Sequence, residues 1–290
     1  MDLDHLFYFV DSLCVFLDRR IFAPRSSSPG PKPLHPSELI TLLLLHQLQQ
    51  YKTFKAFYTK HALLYLRKDF PHMPSYPCFV AQLPRVAPYL FALSRVLCGS
   101  CTGKTFLDST LLRVCQPVRA SRHRLFHDKA KWGKNTKGWV YGLKLHLAIN
   151  EHRVLLCYRI TPANVDDRKP VRDMLRGLFG KVYADKGYLS KKLSEDVRRE
   201  GIELITRLKK GMKGELLLRE DAQGLYERSK VETVISLLKN RYEIEHTRHR
   251  SQRNALIHIM TALLSYNLFS SHASLAPELP DIGRVLGAAA

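Results

Sequence analysis

The stretch Thr105-Phe-Leu-Asp-Ser-Thr-Leu-Leu-Arg-Val114 decides the fold, because its side chains alternate with the period of two that predicts a β-strand. Asp108 interrupts an otherwise apolar or hydroxylic run. An unpaired carboxylate is costly to bury, so an aspartate in a half-buried strand needs a cation or a hydrogen-bond donor beside it. The segment therefore predicts a strand that carries a partnered acid.

Further strands and helices are predicted after this segment. The alternation from Trp139 to Ile149 predicts a second strand, and the short turn at 150–153 predicts a hairpin to a third strand at 154–160. Beyond it the pattern predicts a helix at 167–179, a strand at 181–184, a helix at 190–201, a strand at 202–208 and a helix at 226–242. A three-strand meander followed by alternating helix and strand is the element order of a ribonuclease H-like α/β fold.

The residues before this segment predict a small all-helical domain. Apolar residues recur at helical spacing from Leu3 to Leu17, and further helices are expected at 38–50, at 53–68 and from residue 75. We predict a helical domain at 1–97, a catalytic domain at 98–272 and a loosely ordered tail at 273–290. The basic and aromatic residues of 51–68 suit a DNA-binding domain, although a helical bundle with a solvated basic face has the same pattern.

The charge indicates a partner that is dense in phosphate. The chain has 46 Lys and Arg against 26 Asp and Glu, a net charge of +20 and a pI near 9.8. Residues 101–150 alone hold ten Lys or Arg and two Asp. Such an excess is typical of proteins that bind nucleic acid, and the alternative is a protein that is merely basic.

The location predicted from the sequence is the cytoplasm. No apolar run approaches the roughly 20 residues that span a bilayer, and the first twenty residues lack the features of a secretory signal. Six cysteines are then expected to be reduced. Cys98 and Cys101 form the only close pair, which we interpret as linker thiols rather than a metal or redox site.

Two further acids complete a candidate site with Asp108. Asp185 follows the predicted strand 181–184, and the step of about 100° per residue places Arg228, Glu232 and Lys239 on one helix face. Carboxylates from separate elements of a sheet can hold two divalent cations for phosphodiester chemistry. The alternatives are turn chemistry for Asp185 and a salt-bridge stripe on the helix.

Other residues compete for a place in this site. The rivals for a third acid are Asp166 and Asp167, which suit a helix cap, and Glu243 and Glu245, which suit salt bridges to Arg241, Arg248 or Arg250. The pair His246 and His249 lacks the spacing of a helical zinc site and is better interpreted as part of a basic, DNA-contacting tail. No Walker-type loop occurs, so no nucleotide cofactor is predicted.

Several motifs together resemble the DDE transposases of bacterial insertion sequences, most closely the insertion-sequence family numbered 982. The resemblance covers nearly the whole chain and rests on Pro-Ser-Tyr-Pro-Cys-Phe-Val at 74–80, Asp108-Ser, Trp-Val-Tyr-Gly-Leu-Lys144-Leu-His146, Thr-Pro-Ala-Asn-Val-Asp-Asp167, Ala-Asp185-Lys-Gly-Tyr and Arg228-x3-Glu232-x6-Lys239. The last string matches the Arg, Glu and Lys of the family's Tyr-Arg-Glu-Lys signature. Leu225 stands at its tyrosine position, with Tyr226 one residue later.

The resemblance implies a DNA transposase. Asp108, Asp185 and Glu232 would be its catalytic metal ligands, and Mg²⁺ suits an all-carboxylate site, with Mn²⁺ able to substitute. The expected DNA contacts are Lys144, His146, Arg228, Lys239, Arg248 and Arg250. The expected partners are double-stranded DNA, from the element's terminal repeats and from the target, and a second copy of the chain on DNA in the bacterial nucleoid. The alternatives are a nuclease of the same fold that does not join DNA, or a catalytically inactive DNA-binding regulator.

Overall fold

The computed structural model describes residues 2–20, 33–49, 51–136, 138–207, 218–245 and 249–269. The chain divides into two compact units. A helical unit comprises Met1–Leu97, Arg241–Ile244 and His249–Ala290, and a sheet unit comprises Cys98–Asn240 and Glu245–Arg248. In the described parts of both units no helix is long and apolar enough to cross a membrane.

The described first part of the helical unit consists of helices around an apolar and aromatic core. Its α-helices are α1 (Leu3–Arg20), α2 (Pro36–Gln49), α3 (Phe54–Phe57), α4 (Leu63–Tyr65), α5 (Tyr76–Gln82) and α6 (Ala87–Val96), with a π-helical turn at Tyr58–Ala62 and a 3₁₀ turn at Leu83–Val86. Helix α1 buries one apolar stripe, whereas α2 is buried on most sides. The Tyr58 hydroxyl donates to the Pro74 carbonyl at 2.7 Å, which satisfies a polar group inside this core.

The sheet unit contains a six-stranded sheet. Its strands are β1 (Lys104–Arg113), β2 (Lys131–Asn135), β3 (Gly138–Asn150), β4 (Leu155–Pro162), β5 (Gly180–Ala184) and β6 (Ile202–Thr206), and its helices are α7 (Val171–Leu175), α8 (Lys191–Arg198), α9 (Arg219–Glu227) and α10 (Ser229–Asn240), with 3₁₀ turns at Pro117–Arg122 and Lys186–Tyr188. The strand order is β2-β3-β1-β5-β6, and β4 also pairs with β3. The meander strands are antiparallel, whereas β1, β5 and β6 are parallel. The mixed α/β architecture agrees with the prediction.

Helices cover both faces of this sheet. On one face, Leu107 and Ala184 share a core with side chains of α7 and α8. On the other face, α9 approaches β5 so closely that a Cβ on Gly224 would lie 2.2 Å from the Tyr183 ring, so only glycine fits there. The buried carboxylate of Asp221 accepts hydrogen bonds from Tyr183 at 3.2 Å and from Lys181 at 2.7 Å, which fastens α9 to β5.

Within the sheet unit, the structure differs from the predicted elements in three places. Strand β2 was not predicted, and the helix expected at 167–179 is limited to α7. The single helix expected at 226–242 is two helices, α9 and α10, with Arg228 between them. The helix predicted at 190–201 corresponds to α8, whose Ser190 hydroxyl caps it by accepting from the Leu193 amide at 3.3 Å.

The C-terminal helix α11 (Gln252–Phe269) belongs to the helical unit. Its Ile257, Leu264 and Leu268 join the core formed by the N-terminal helices, and Asn267 donates to the Leu97 carbonyl at 3.0 Å. The predicted catalytic domain at 98–272 therefore extends too far, because it includes α11. This helix is buried on most sides and packs against the other helices of the helical unit. The predicted tail at 273–290 lies outside the described residues.

Candidate active site

The site begins where β5 ends, beside the middle of the neighbouring parallel strand β1. Leu107 of β1 aligns with Ala184 of β5, so Asp108 and Asp185 are the next residues on strands that run roughly 4.8 Å apart. Because Leu107 and Ala184 face the α7 and α8 side, strand alternation directs Asp108 to the opposite face. Pockets of α/β sheets form at such strand ends.

A guanidinium group joins the first acid to the third. Arg228 Nη1 lies 2.9 Å from Asp108 Oδ2, and Arg228 Nη2 lies 2.7 Å from Glu232 Oε1. The Arg228 and Asp108 side chains are 19% and 22% exposed, whereas that of Glu232 in the first turn of α10 is 58% exposed. Arg228 thus forms an ion-paired bridge from the sheet to the helix, and it contacts Glu232, one of the two residues predicted to share a helix face with it.

Burial makes Asp108 an unusual carboxylate. Desolvation raises its pKa from the usual 3.8 to about 6, against the opposing effects of the Ser109 amide and of Arg228, and the negative charge of Glu232 raises it further. For Arg228, burial lowers the pKa, but the charges of Asp108, Glu232 and Asp185 outweigh it and raise the pKa above its usual value. The site is thus an acidic cluster whose charge one arginine offsets.

A cavity of about 300 Å³ opens beside this bridge. Its lining residues are Ala184, Asp185, Arg207, Leu225, Tyr226, Arg228, Ser229 and Glu232. The sequence reasoning missed Arg207, which directly follows β6. Its position at the carboxyl end of a parallel strand adjacent to β5 was the available signal.

The chemistry of the donor set fits a hard divalent cation, since Mg²⁺ prefers carboxylate oxygens and phosphate. In the described part of the chain, no three His, Cys, Asp or Glu side chains are grouped closely enough to hold a metal ion. Arg228 occupies oxygens of Asp108 and Glu232 instead. A cation bound by those two carboxylates would compete with Arg228 for their negative charge, and the metal role of Asp108, Asp185 and Glu232 stays a prediction.

Lys239 is held beside β1 at the far end of α10. Its Nζ donates to the Leu111 carbonyl at 2.8 Å and lies 3.3 Å from Glu245 Oε2. Glu245 also pairs with Arg113, with 3.8 Å between the charged groups, so its described partners are Lys239 and Arg113. Helix α10 ends at Asn240, so Glu245 lies beyond the helix and helical spacing does not predict its partners.

Lys144 and His146 lie on the opposite face of the sheet from Asp108. Ser109 and His146 are paired residues of β1 and β3, and strand alternation turns both away from the Asp108 face. Lys144 Nζ lies 2.8 Å from Asp167, which also accepts from the Ser109 hydroxyl at 2.9 Å. His146 is buried and contacts Thr161 Oγ1 at 2.9 Å. Neither side chain lines the cavity, and the contacts of Lys144 and His146 with phosphate stay a prediction.

The remaining predicted residues do not line the cavity or lie outside the described residues. Asp166 is exposed and forms an ion pair with Arg168, as a turn acid does. Arg248 and His246 lie outside the described residues, and Arg250 is an exposed residue of the helical unit. The rival acids Asp166, Asp167 and Glu245 thus have structural partners, whereas Asp185 lines the cavity.

The buried imidazole of His146 predicts a loss of stability in acid. Desolvation lowers its pKa from 6.5 to about 4, so the unfolded chain binds the proton more tightly than the folded chain. Stability is complete above about pH 6.5 and falls as the pH decreases toward 4, by about 3 kcal/mol. In denaturant titrations at the two pH limits, His146→Gln should remove most of this fall. An equal fall in wild type and variant would contradict the assignment.

Comparison with known proteins identifies the family of this chain and supports its fold. The model of the family described as a transposase DDE domain matches residues 98–252. The search of curated proteins found no match. The structure of a piggyBac transposase synaptic complex with hairpin DNA is similar, with a TM-score of 0.50, 9% sequence identity and coverage of 99% of this chain and 78% of that chain. At this identity the likeness shows the fold alone, and it agrees with the predicted ribonuclease H-like catalytic fold.

Proposed function

The chain belongs to the transposases that carry a DDE domain, and we propose that it cuts DNA at the ends of an insertion sequence and transfers the freed 3′-OH into target DNA. The observation that carries the proposal is that Asp108, in the middle of β1, lies beside Asp185, which directly follows β5, with Glu232 tied to Asp108 through Arg228. Membership of the bacterial family numbered 982 is part of the same proposal.

Asp108, Asp185 and Glu232 are proposed to hold Mg²⁺, for which Mn²⁺ can substitute. When bound, such cations activate a water or hydroxyl nucleophile and stabilise the departing 3′ oxygen. The three carboxylates come from a strand, a strand end and a helix of the same unit. The raised pKa of Asp108 supports this role, because a desolvated carboxylate beside the negative charge of Glu232 gains from a further cation.

Arginines on the cavity wall are proposed to hold the DNA backbone. Arg228 and Arg207 both line the cavity beside Asp185, and a guanidinium can bind two phosphate oxygens at once. Displaced from a carboxylate, Arg228 would remain within reach of a phosphate at the same site. Lys239, whose Nζ is held at the Leu111 carbonyl, is proposed to contact the backbone further along α10.

The proposed partners are double-stranded DNA and a second copy of the chain. The net charge of +20 supports a phosphate-rich partner. Transposition brings together two ends of the element, which favours a homodimer assembled on DNA.

The test is a cleavage and joining assay on labelled terminal fragments of the element that encodes the chain. We expect nicked ends and joined products with Mg²⁺ or Mn²⁺, and neither with EDTA. The matched control is Asp166→Ala, which removes an exposed acid paired with Arg168 and should retain activity. Cleavage without joining would indicate a nuclease of the same fold. DNA binding without either reaction would indicate a regulator, and metal-independent joining would contradict the proposed chemistry.

A further inference from the structure

A two-stranded hairpin carries both tryptophans of the chain. It is formed by β2 and by residues 138–142 of β3, with Trp132 opposite Tyr141 and Lys134 opposite Trp139. Because directly opposed residues share a face, these four side chains lie on one side of the hairpin. We call this side the tryptophan face.

The other side of the hairpin is fixed to the sheet unit. Val140 packs with Leu111 and Ala163 in a small buried cluster. Gly133 approaches so closely that an added Cβ would lie 2.7 Å from the Ala163 carbonyl oxygen. The hairpin is therefore anchored through its small and apolar side, and this anchoring turns the tryptophan face outward.

The tryptophan face exposes aromatic rings to solvent. Trp132 and Trp139 are 43% and 58% exposed. The Trp132 ring packs edge-on against Tyr141, with 5.4 Å between centroids, and the Lys134 ammonium lies 5.6 Å from the centre of the Trp139 ring. Large aromatic rings contribute most of their energy by burial, so two solvated indoles on a rigid hairpin are typical of a binding surface.

The basic residues near these rings indicate the chemical class of the partner. The described residues of 117–136 include one acid, Asp128, and the basic residues Arg119, Arg122, Arg124, Lys129, Lys131 and Lys134. Aromatic rings that stack bases, surrounded by cations that follow the backbone, are the combination by which proteins hold single-stranded nucleic acid. In an intact duplex the base faces are already stacked on each other, so an indole cannot reach them.

We propose that the tryptophan face binds unpaired DNA bases, with Trp132 and Trp139 stacking on them and Lys134 contacting the adjacent phosphate. This rests on the proposed function, since strand cutting at an element end generates unpaired nucleotides. The tryptophan face would select a frayed or single-stranded DNA end, which the acidic cavity alone does not select.

The two tryptophans allow a direct optical test, because every tryptophan signal of the chain comes from this face. The full-length protein in EDTA is titrated with an oligonucleotide, first as a single strand and then as a blunt duplex of the same sequence. Stacking should quench the fluorescence with the single strand and leave it largely unchanged with the duplex. Equal quenching by both would overturn the assignment to unpaired bases.

Variants assign the effect to individual rings. Trp132→Ala and Trp139→Ala should each weaken single-strand binding about tenfold in fluorescence anisotropy, with duplex affinity nearly unchanged. Trp139→Phe keeps an aromatic ring and should therefore lose less single-strand affinity than Trp139→Ala. The control is Tyr8→Ala, an exposed aromatic on α1 between Asp4 and Asp11, and it should change neither affinity. Unchanged single-strand affinity in both alanine variants would refute the proposal.

The two proposals can fail separately. Binding in EDTA does not require the carboxylate site, so selective quenching by a chain that neither cuts nor joins DNA would contradict the proposed function alone. Cutting and joining by a chain whose tryptophans do not respond to single strands would contradict the tryptophan-face proposal alone.

Discussion

Asp108→Asn is expected to lower the rates of DNA cleavage and joining by at least about a thousandfold, because metal-held charge stabilisation contributes several kcal/mol to such reactions. The amide keeps the shape of the side chain but is a weaker ligand for a hard cation. The rates are measured on labelled element ends under single-turnover conditions. DNA affinity, which the basic surfaces supply, should remain nearly the same.

The same variant should lose no stability near pH 8. Because burial raises the pKa of Asp108 to about 6, the ionised form is disfavoured in the folded chain. The ionised carboxylate destabilises the folded chain fully above about pH 6 and not at all below about pH 3.8, the usual pKa. A neutral amide therefore removes this destabilisation near pH 8. The matched control is Asp173→Asn, an exposed acid of α7 that faces Arg159 at 3.8 Å and should keep full activity. An inactive variant that is also unfolded, or an active one, would contradict the catalytic role.

Arg228→Ala is expected to lower the free energy of unfolding by about 4 kcal/mol near pH 8, because it leaves the buried Asp108 carboxylate without its cation. The loss should shrink near pH 5, where Asp108 is largely protonated. Joining activity should fall as well, since Arg228 lines the cavity. Denaturant titrations at the two pH values give the stability, and the joining assay gives the activity.

Divalent cations give this variant a second readout. If the guanidinium and a cation compete for the same carboxylate oxygens, Mg²⁺ should raise the unfolding temperature of Arg228→Ala more than that of wild type. Arg172→Ala is the control, because Arg172 is an exposed arginine paired with Glu200 at 3.0 Å and should contribute less than about 1 kcal/mol. An identical response to Mg²⁺ in wild type and Arg228→Ala would show that Arg228 does not stand in for the cation.

Sequence reasoning predicted the elements whose side chains follow a clear period. The alternation around Asp108 and along β3 located two strands. The spacing of Arg228 and Glu232 predicted a shared helix face, and the two side chains are in contact even though a helix boundary falls at Arg228. Strand β2 was not predicted, because Lys-Trp-Gly-Lys-Asn has no apolar alternation. Its stability comes from pairing with β3 and from the close approach of Gly133 to Ala163.

The face on which a strand residue lies depends on register, which a single sequence does not reveal. His146 is paired with Ser109 rather than with Asp108, and a shift of one residue would have reversed the face of both His146 and Lys144. Helix α11 is a similar case, because its apolar sequence predicts burial but does not say which helices surround it. Arg207 lies near the end of the strand predicted at 202–208, and only the order of the parallel strands brings it to the cavity.

The most direct measurement is Mn²⁺ anomalous diffraction from crystals of the protein, because it requires no knowledge of the DNA substrate. The account predicts a manganese peak bound by the Asp108 and Asp185 carboxylates, with Glu232 as a further ligand and with Arg228 moved from at least one of its present partners. A crystal in which Mn²⁺ binds elsewhere while Arg228 still bridges Asp108 and Glu232 would contradict it.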